Sequence, residues 1–263
     1  MIRRILPPLA AAGLVLASFA VAQTPPAPLK GYLSEDTRPK TERILPPPPA
    51  AGSGREADDQ AVFVRTRALA GGPRWSLATA DADMSGRASM FACALGVTLD
   101  ASDAPTLQRL FGRSGHDAVA IVDAPKDLFA RPRPFVHASG VAPICVPKTD
   151  ALAKTASYPS GHSTLSWAWG LILSELAPDR ATEIMARARE IGDSRVICGV
   201  HYVSDVEEGR VNGSVLVAAL HANPEFEADL AKARAEVAAA RAAPHPAPAN
   251  CAAIADAEAH PPY

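Results

Sequence analysis

The chain is predicted to fold as one all-α domain. Apolar residues recur at helical spacing from about residue 55 to 243, and proline, glycine and Asn-Pro-Glu signals punctuate the segments. Convincing period-2 alternation is absent. With 263 residues and 48% hydrophobic content, the chain has enough apolar material for one sizeable core.

Residues 1–22 read as a secretory signal. Arg3 and Arg4 supply the positive region, an apolar run follows, and Ala20-Val21-Ala22 is a small-x-small cleavage site that sets a mature start near Gln23. The competing reading is a membrane anchor, which the short run and the cleavage site disfavour. Residues 23–54 are rich in proline and end in Gly52-Ser53-Gly54, an extended arm that either wraps the domain or acts as a spacer.

The helical domain spans 55–243. From Asp58, the residues Ala61, Val62, Val64 and Leu69 mark one helix face, closed by Gly71-Gly72-Pro73. Segments 88–97, 104–110 and 117–128 add shorter helices. Segment 161–176 is strongly apolar and stops before Pro178, and 180–191 is amphipathic through Ile184 and Ala188. Segment 204–220 opens with Ser204 and Glu207 at capping-box spacing. Asn223-Pro224-Glu225 is a cap, a first-turn proline and an acid, and starts a last helix that runs to about Ala243. Residues 244–263 form an Ala/Pro-rich tail expected to be loose. After signal removal no segment is long and apolar enough to span a bilayer.

The formal net charge of -2 disfavours a surface that coats nucleic acid. Cys93, Cys145, Cys198 and Cys251 permit two disulfides in an exported protein, with the pairing open, and buried free thiols are the alternative. None has CxxC spacing, which disfavours zinc.

The chemistry-bearing residues lie in three blocks. Ser160-Gly161-His162 follows Pro159 at a helix start, where unpaired backbone N–H groups and the dipole favour an anion and glycine lets it approach closely. Ser194-Arg195 is followed by His201 and Asp205. On a continuous helix His201 and Asp205 share a face. If the Ser204 cap holds, His201 sits in the turn before the helix. A carboxylate on one imidazole nitrogen would fix the tautomer and free the other as a nucleophile or base. Upstream, Lys126 precedes Arg131-Pro132-Arg133-Pro134, which cannot continue a helix. Arg131 reads as a solvated charge. Taken singly, each block has a bland reading as a helix start or a surface pair. His116, His137, His221, His245 and His260 read as packing or surface residues. Asp81 and Asp83 resemble only a fragment of a calcium loop, and Trp167 and Trp169 read as core.

Together, Lys126 with Arg133-Pro134, Pro159-Ser160-Gly161-His162, and Ser194-Arg195 with His201 and Asp205 resemble the three-part signature of the type 2 phosphatidic acid phosphatase superfamily. The text from Ser194 to His201, the sequel to Pro224, and Thr66-Arg67-Ala68-Leu69 with Pro73-Arg74-Trp75 look like the class A bacterial non-specific acid phosphatases. Val203 departs from the proline that many members carry before Ser-Asp.

The resemblance implies a compact helical fold of the phosphatase/haloperoxidase kind and a periplasmic or secreted acid phosphatase of broad phosphomonoester range. It implies His201 as nucleophile through a phosphohistidine, Asp205 as its orienting carboxylate and His162 as general acid, then base. Lys126, Arg133, Arg195, Ser160 and the Gly161 N–H would hold the phosphate oxygens. No metal and no other cofactor is expected, since three cations neutralise the phosphate. Phosphate transfer to alcohols, a bell-shaped pH profile with an acidic optimum, and a homo-oligomer are also implied. The competing readings are a vanadate-dependent haloperoxidase and a non-catalytic phosphate-binding protein. A lipid phosphatase is disfavoured because spanning helices are absent.

Overall fold

A computed structural model describes residues 30–138 and 142–263, so the signal and the first arm residues lie outside the described residues. Among the described residues every regular element is a helix, as the apolar periodicity predicts. The α-helices are α1 (Gly54–Thr66), α2 (Pro73–Ala80), α3 (Ala92–Leu95), α4 (Pro105–Phe129), α5 (Pro134–His137), α6 (Asp150–Lys154), α7 (Gly161–Leu176), α8 (Ala181–Ile197), α9 (Val203–Leu220), α10 (Pro224–Ala242) and α11 (Cys251–Ala259).

α7 forms the centre because it is apolar almost all round. It packs along both α8 and α9, while α10 lies on α4. The core joins Leu107, Phe111 and Ile121 to Trp169, Ile172 and Leu173, then to Ile191, Leu216 and Phe226. Phe111 stacks on Trp169 at 4.9 Å between ring centroids. Trp167 is only partly buried and donates to Ser214 Oγ. Gly209 lets α9 close onto the start of α7. A Cβ there would lie 2.7 Å from Ser160 O and 2.7 Å from Ser163 Cβ, so any side chain would push the two helices apart.

Several boundaries differ from the sequence reading. α4 is one continuous helix, not the two segments 104–110 and 117–128. Gly112 and Gly115 each weaken a helix by about 1 kcal/mol, but Leu107, Leu110, Phe111, Ala118, Ile121 and Val122 continue one buried face through them. Pro73 does not close α1; it occupies the first turn of α2. Only Ala92–Leu95 of the 88–97 segment is α-helical, after a 3-10 stretch that ends at Phe91. α8 runs on to Ile197 and carries Arg195 in its last turn.

The described part of the arm wraps the domain. Tyr32 and Leu33 donate their backbone N–H groups to Asp117, Thr41 donates to Ile121 O, and Pro46 O accepts from Tyr158. The tail is not loose. Cys251, the first residue of α11, is bonded to Cys93, and the Tyr263 hydroxyl donates to Asp193 at 2.7 Å. Alanine-rich composition hides these anchors because they come from distant parts of the chain. The second disulfide joins Cys145 to Cys198.

Candidate active site

Two helix starts build the site. Ser160 caps α7, and its Oγ accepts from Ser163 N, so Gly161 and His162 occupy the first turn. Ser160 N donates to Asp205 O at 2.9 Å, which ties this turn to the start of α9. At α9 the cap lies two residues earlier than the Ser204–Glu207 pattern predicts. Tyr202 is the cap residue and its N–H donates to Asp205 Oδ2 at 2.8 Å. Glu207 instead pairs outward with Arg55, and Ser204 turns inward to Asp59. The buried partners of Ser204 and Asp205 select this register over the local one.

His201 therefore sits in the turn before α9, buried at 3% exposure. Its Nδ1 lies 3.4 Å from Asp205 Oδ2, at ion-pair range but without a well-formed hydrogen bond, because Tyr202 N already occupies that oxygen. Its Nε2 lies 3.2 Å from Arg133 Nη1. A guanidinium can only donate, so Nε2 is inferred to accept and Nδ1 to carry the hydrogen, facing the carboxylate. Burial, with the charges of Arg133, Lys126 and Arg195, holds the ring well below the usual imidazole range. This favours the neutral ring, with the acceptor nitrogen Nε2 turned away from Asp205 and toward Arg133.

The cations are placed by the surrounding loops. Arg133 is anchored by Leu152 O, Thr155 Oγ1 and Val200 O. Lys126 donates to Ala156 O at 2.5 Å, and burial together with Arg133 holds its ammonium down to about 8. Lys126 sits one turn beyond Val122, whose Cγ1 would be 3.8 Å from a Cβ at Gly161. Packing alone therefore does not demand glycine at 161. Arg195 is 4% exposed, and its Nε and Nη1 have no hydrogen-bond partner among the described residues. Burial, then Arg133, pushes its guanidinium down to about 10. A buried cation with unused donors is costly, and an anion is the ligand that satisfies it.

His162 Nε2 lies 3.1 Å from Ala82 O. A carbonyl can only accept, so the hydrogen is inferred to sit on Nε2, and Nδ1 is the nitrogen left for proton exchange. Burial, then the charge of Arg195, pushes His162 down to about 3. A cavity of about 660 Å³ opens beside Lys126, lined also by Asp123, Arg131, His137 and Lys154, but His162, His201 and Arg195 do not border it. It meets the site at Lys126 and at Arg131.

Three features escaped the sequence reading. Arg131 is no solvated charge. It is 9% exposed and bridges Asp59 and Asp205. Asp81 is no calcium-loop fragment. It accepts from Arg187 and from Ser194 Oγ, beside Glu190, whose carboxyl burial and Asp81 push up to about 7. This network backs the helix turn that carries Arg195 and fixes the chain next to Ala82. The Cys145–Cys198 disulfide, with Arg67 donating to Val196 O and Ile197 O, braces the approach to His201. The RPRP repeat and the Ser194-Arg195 pair were the only local signals of the first two, and neither names a partner.

Residues 117–227 match the family model described as the PAP2 superfamily. An acid phosphatase from Zymomonas mobilis subsp. mobilis is 41% identical over 204 residues, covering 76% of this chain and 76% of the relative. A non-specific acid phosphatase from Providencia stuartii is 38% identical over 236 residues, covering 86% and 95%. One from Salmonella typhi is 36% identical over 234 residues, covering 85% and 89%. The matched family stretch runs through both helix starts and every cation of the site. With likeness of this extent along most of its length, the chain belongs to the PAP2 superfamily, among the non-specific acid phosphatases.

Proposed function

We propose that this protein is an exported acid phosphatase that hydrolyses phosphomonoesters through a phosphohistidine at His201. The observation that carries the reading is Arg195, a buried guanidinium with two donor atoms unused, close enough to His201 and His162 to depress both. Lys126, Arg133, Arg195, Ser160 and the Gly161 N–H bind the non-bridging oxygens and favour the five-coordinate transition state over the ester. His201 Nε2 attacks phosphorus in line. The N–P bond forms as the P–O ester bond breaks, and His162 Nδ1 gives its proton to the leaving alkoxide. Water then attacks the phosphohistidine; as the new P–O bond forms, the N–P bond breaks, releasing phosphate and neutral His201, and His162 takes the water proton while Asp205 balances the charge on the His201 ring. An alcohol in place of water would give phosphate transfer.

The acidic optimum has a physical source in this reading. Burial and three cations, Arg195, Arg133 and Lys126, act on His162, which favours its neutral form in the free enzyme. Two negative phosphate charges raise it, and the complex takes up one proton. When the dianion binds, that proton comes from solvent; when the monoanion binds, the substrate brings it, its second ionisation lying at about pH 6. The matched relatives with phosphatase names cover most of the chain, which supports this reading over a vanadate enzyme. The signal at residues 1–22 supports a periplasmic or secreted location, and the resemblance supports self-association.

The deciding experiment uses a chromogenic phosphomonoester with chelator present, from pH 4 to 9. Wild type is expected to turn over without added metal, fastest at acid pH, and to yield a phosphoprotein on acid quench. His201→Ala is expected to show neither turnover nor phosphoprotein. Near-wild-type rates in His201→Ala would refute the nucleophile, and full loss in chelator would refute metal-independent chemistry.

A further inference from the structure

We propose that Asp59 and Arg131 are positioning residues that set the charge on the Asp205–His201 pair from outside the site. The inference rests on His201 being the nucleophile. Arg131 Nη1 donates to Asp205 Oδ1 at 2.6 Å and to Ser204 Oγ at 2.7 Å. Its Nη2 donates to Asp59 Oδ2 at 2.8 Å. Asp59, on α1, also accepts from Ser204 N at 3.0 Å and from the Ser204 hydroxyl. The guanidinium lies over the Tyr202 ring, whose hydroxyl accepts from Gln60 one residue along α1. Asp59 is 3% exposed, Asp205 is 0% and Arg131 is 9%.

The charge count gives the cluster its meaning. Burial pushes the Asp205 carboxyl up and Arg131 with the Tyr202 N–H opposes it; with both carboxylates ionised, two carboxylates and one guanidinium leave this buried group one negative charge in excess. Attack on phosphorus leaves the His201 ring positive, because Nδ1 keeps its hydrogen. The group is then neutral. Asp59 supplies the excess charge without touching the imidazole, and Arg131 carries its influence to Asp205. On the other side His201 faces Arg133, Lys126, Arg195 and His162, all of which oppose a positive ring. A purely structural ion pair would need only one carboxylate per guanidinium. The second carboxylate makes the phosphohistidine, and not the resting imidazole, the electrostatically balanced state.

The test is Asp59→Asn, which keeps shape and most hydrogen bonds but removes the charge. We expect kcat to fall about tenfold or more with KM within about twofold, because the loss falls on the charged intermediate. The acid limb of the kcat–pH profile reports His201 in the complex, and it should move to lower pH by about half a unit or more as the ring holds its proton less well. Ser204→Ala serves as control; it should lower Tm and leave the acid limb in place. The double variant Asp59→Asn/Arg131→Gln restores the single excess negative charge at Asp205 and should return the limb toward wild type. Asp59→Asn with lowered Tm but wild-type kcat and limb would overturn the proposal, as would a double variant whose limb lies still further from wild type. Loss of the phosphoprotein in wild type would instead sink the nucleophile reading and is measured in the same quench.

Discussion

Replacing Arg195 with methionine should stabilise the ligand-free protein and sharply lower its turnover. The guanidinium is 4% exposed and two of its nitrogens lack partners. Burial holds it down to about 10. The drop from its ordinary value corresponds to roughly 3 kcal/mol against the charged form. Methionine fills most of the stem volume, and loss of the attraction to Asp81 offsets part of the gain. A net rise of about 1–3 kcal/mol is expected, equal to about 2–12 °C in Tm for a domain of this size. The same change removes two donors from the transition state. Each charge-assisted donor contributes about 1.5–3 kcal/mol, so kcat/KM should fall by about a hundredfold to ten-thousandfold. A thermal scan with and without inorganic phosphate checks both halves. Phosphate at about a hundred times its Kd adds about 2.7 kcal/mol to wild type and should add almost nothing to Arg195→Met. A ligand-free variant that melts below wild type, or one that keeps the phosphate-induced rise, would refute the account of Arg195 as an unpaired anion receptor.

Proton linkage should run in opposite directions for the empty and the filled site. His162 is held at about 3 and His201 well below 6.5, so the unfolded chain binds more protons than the empty native state between those values. Stability without phosphate should therefore fall as pH drops from 6.5 toward 3, while phosphate affinity, measured by calorimetry in two buffers, should rise with proton uptake. Proton release on binding would contradict it. Cys145 and Cys198 are 53 residues apart, and removing that link with paired alanines should cost about 4 kcal/mol by loop entropy. Because Cys198 is followed by the turn that carries His201, kcat should also fall, and an unchanged kcat in the folded variant would show that α8 and Arg67 suffice to hold the turn.

Reading the chain alone placed the helical class and the capped starts of α7 and α10, and it nominated the chemistry-bearing residues. These rest on short-range physics. A Ser-Gly-His at a capped turn, or an Asn-Pro-Glu start, is stabilised by neighbours within a few residues. What failed was decided at long range. The two expected helices at 104–128 fused into α4 because the buried face on α7 and α10 outweighs two glycines. The cap of α9 moved off Ser204 because Asp59, 145 residues away, takes that serine into a buried network. Local spacing could not distinguish Ser204–Glu207 from Tyr202–Asp205.

The sequence by itself determined which side chains carry charge and nucleophilicity, since those are properties of residue type. The fold alone decided their protonation and their partners. Arg131 is a surface-like cation in the text and the bridge between two carboxylates in space. His162 and His201 are ordinary imidazoles in the text, and burial among Lys126, Arg133 and Arg195 is what pushes both below the usual imidazole range in the empty site. Desolvation and Coulomb interactions depend on distances between remote segments, and a linear sequence does not contain those distances.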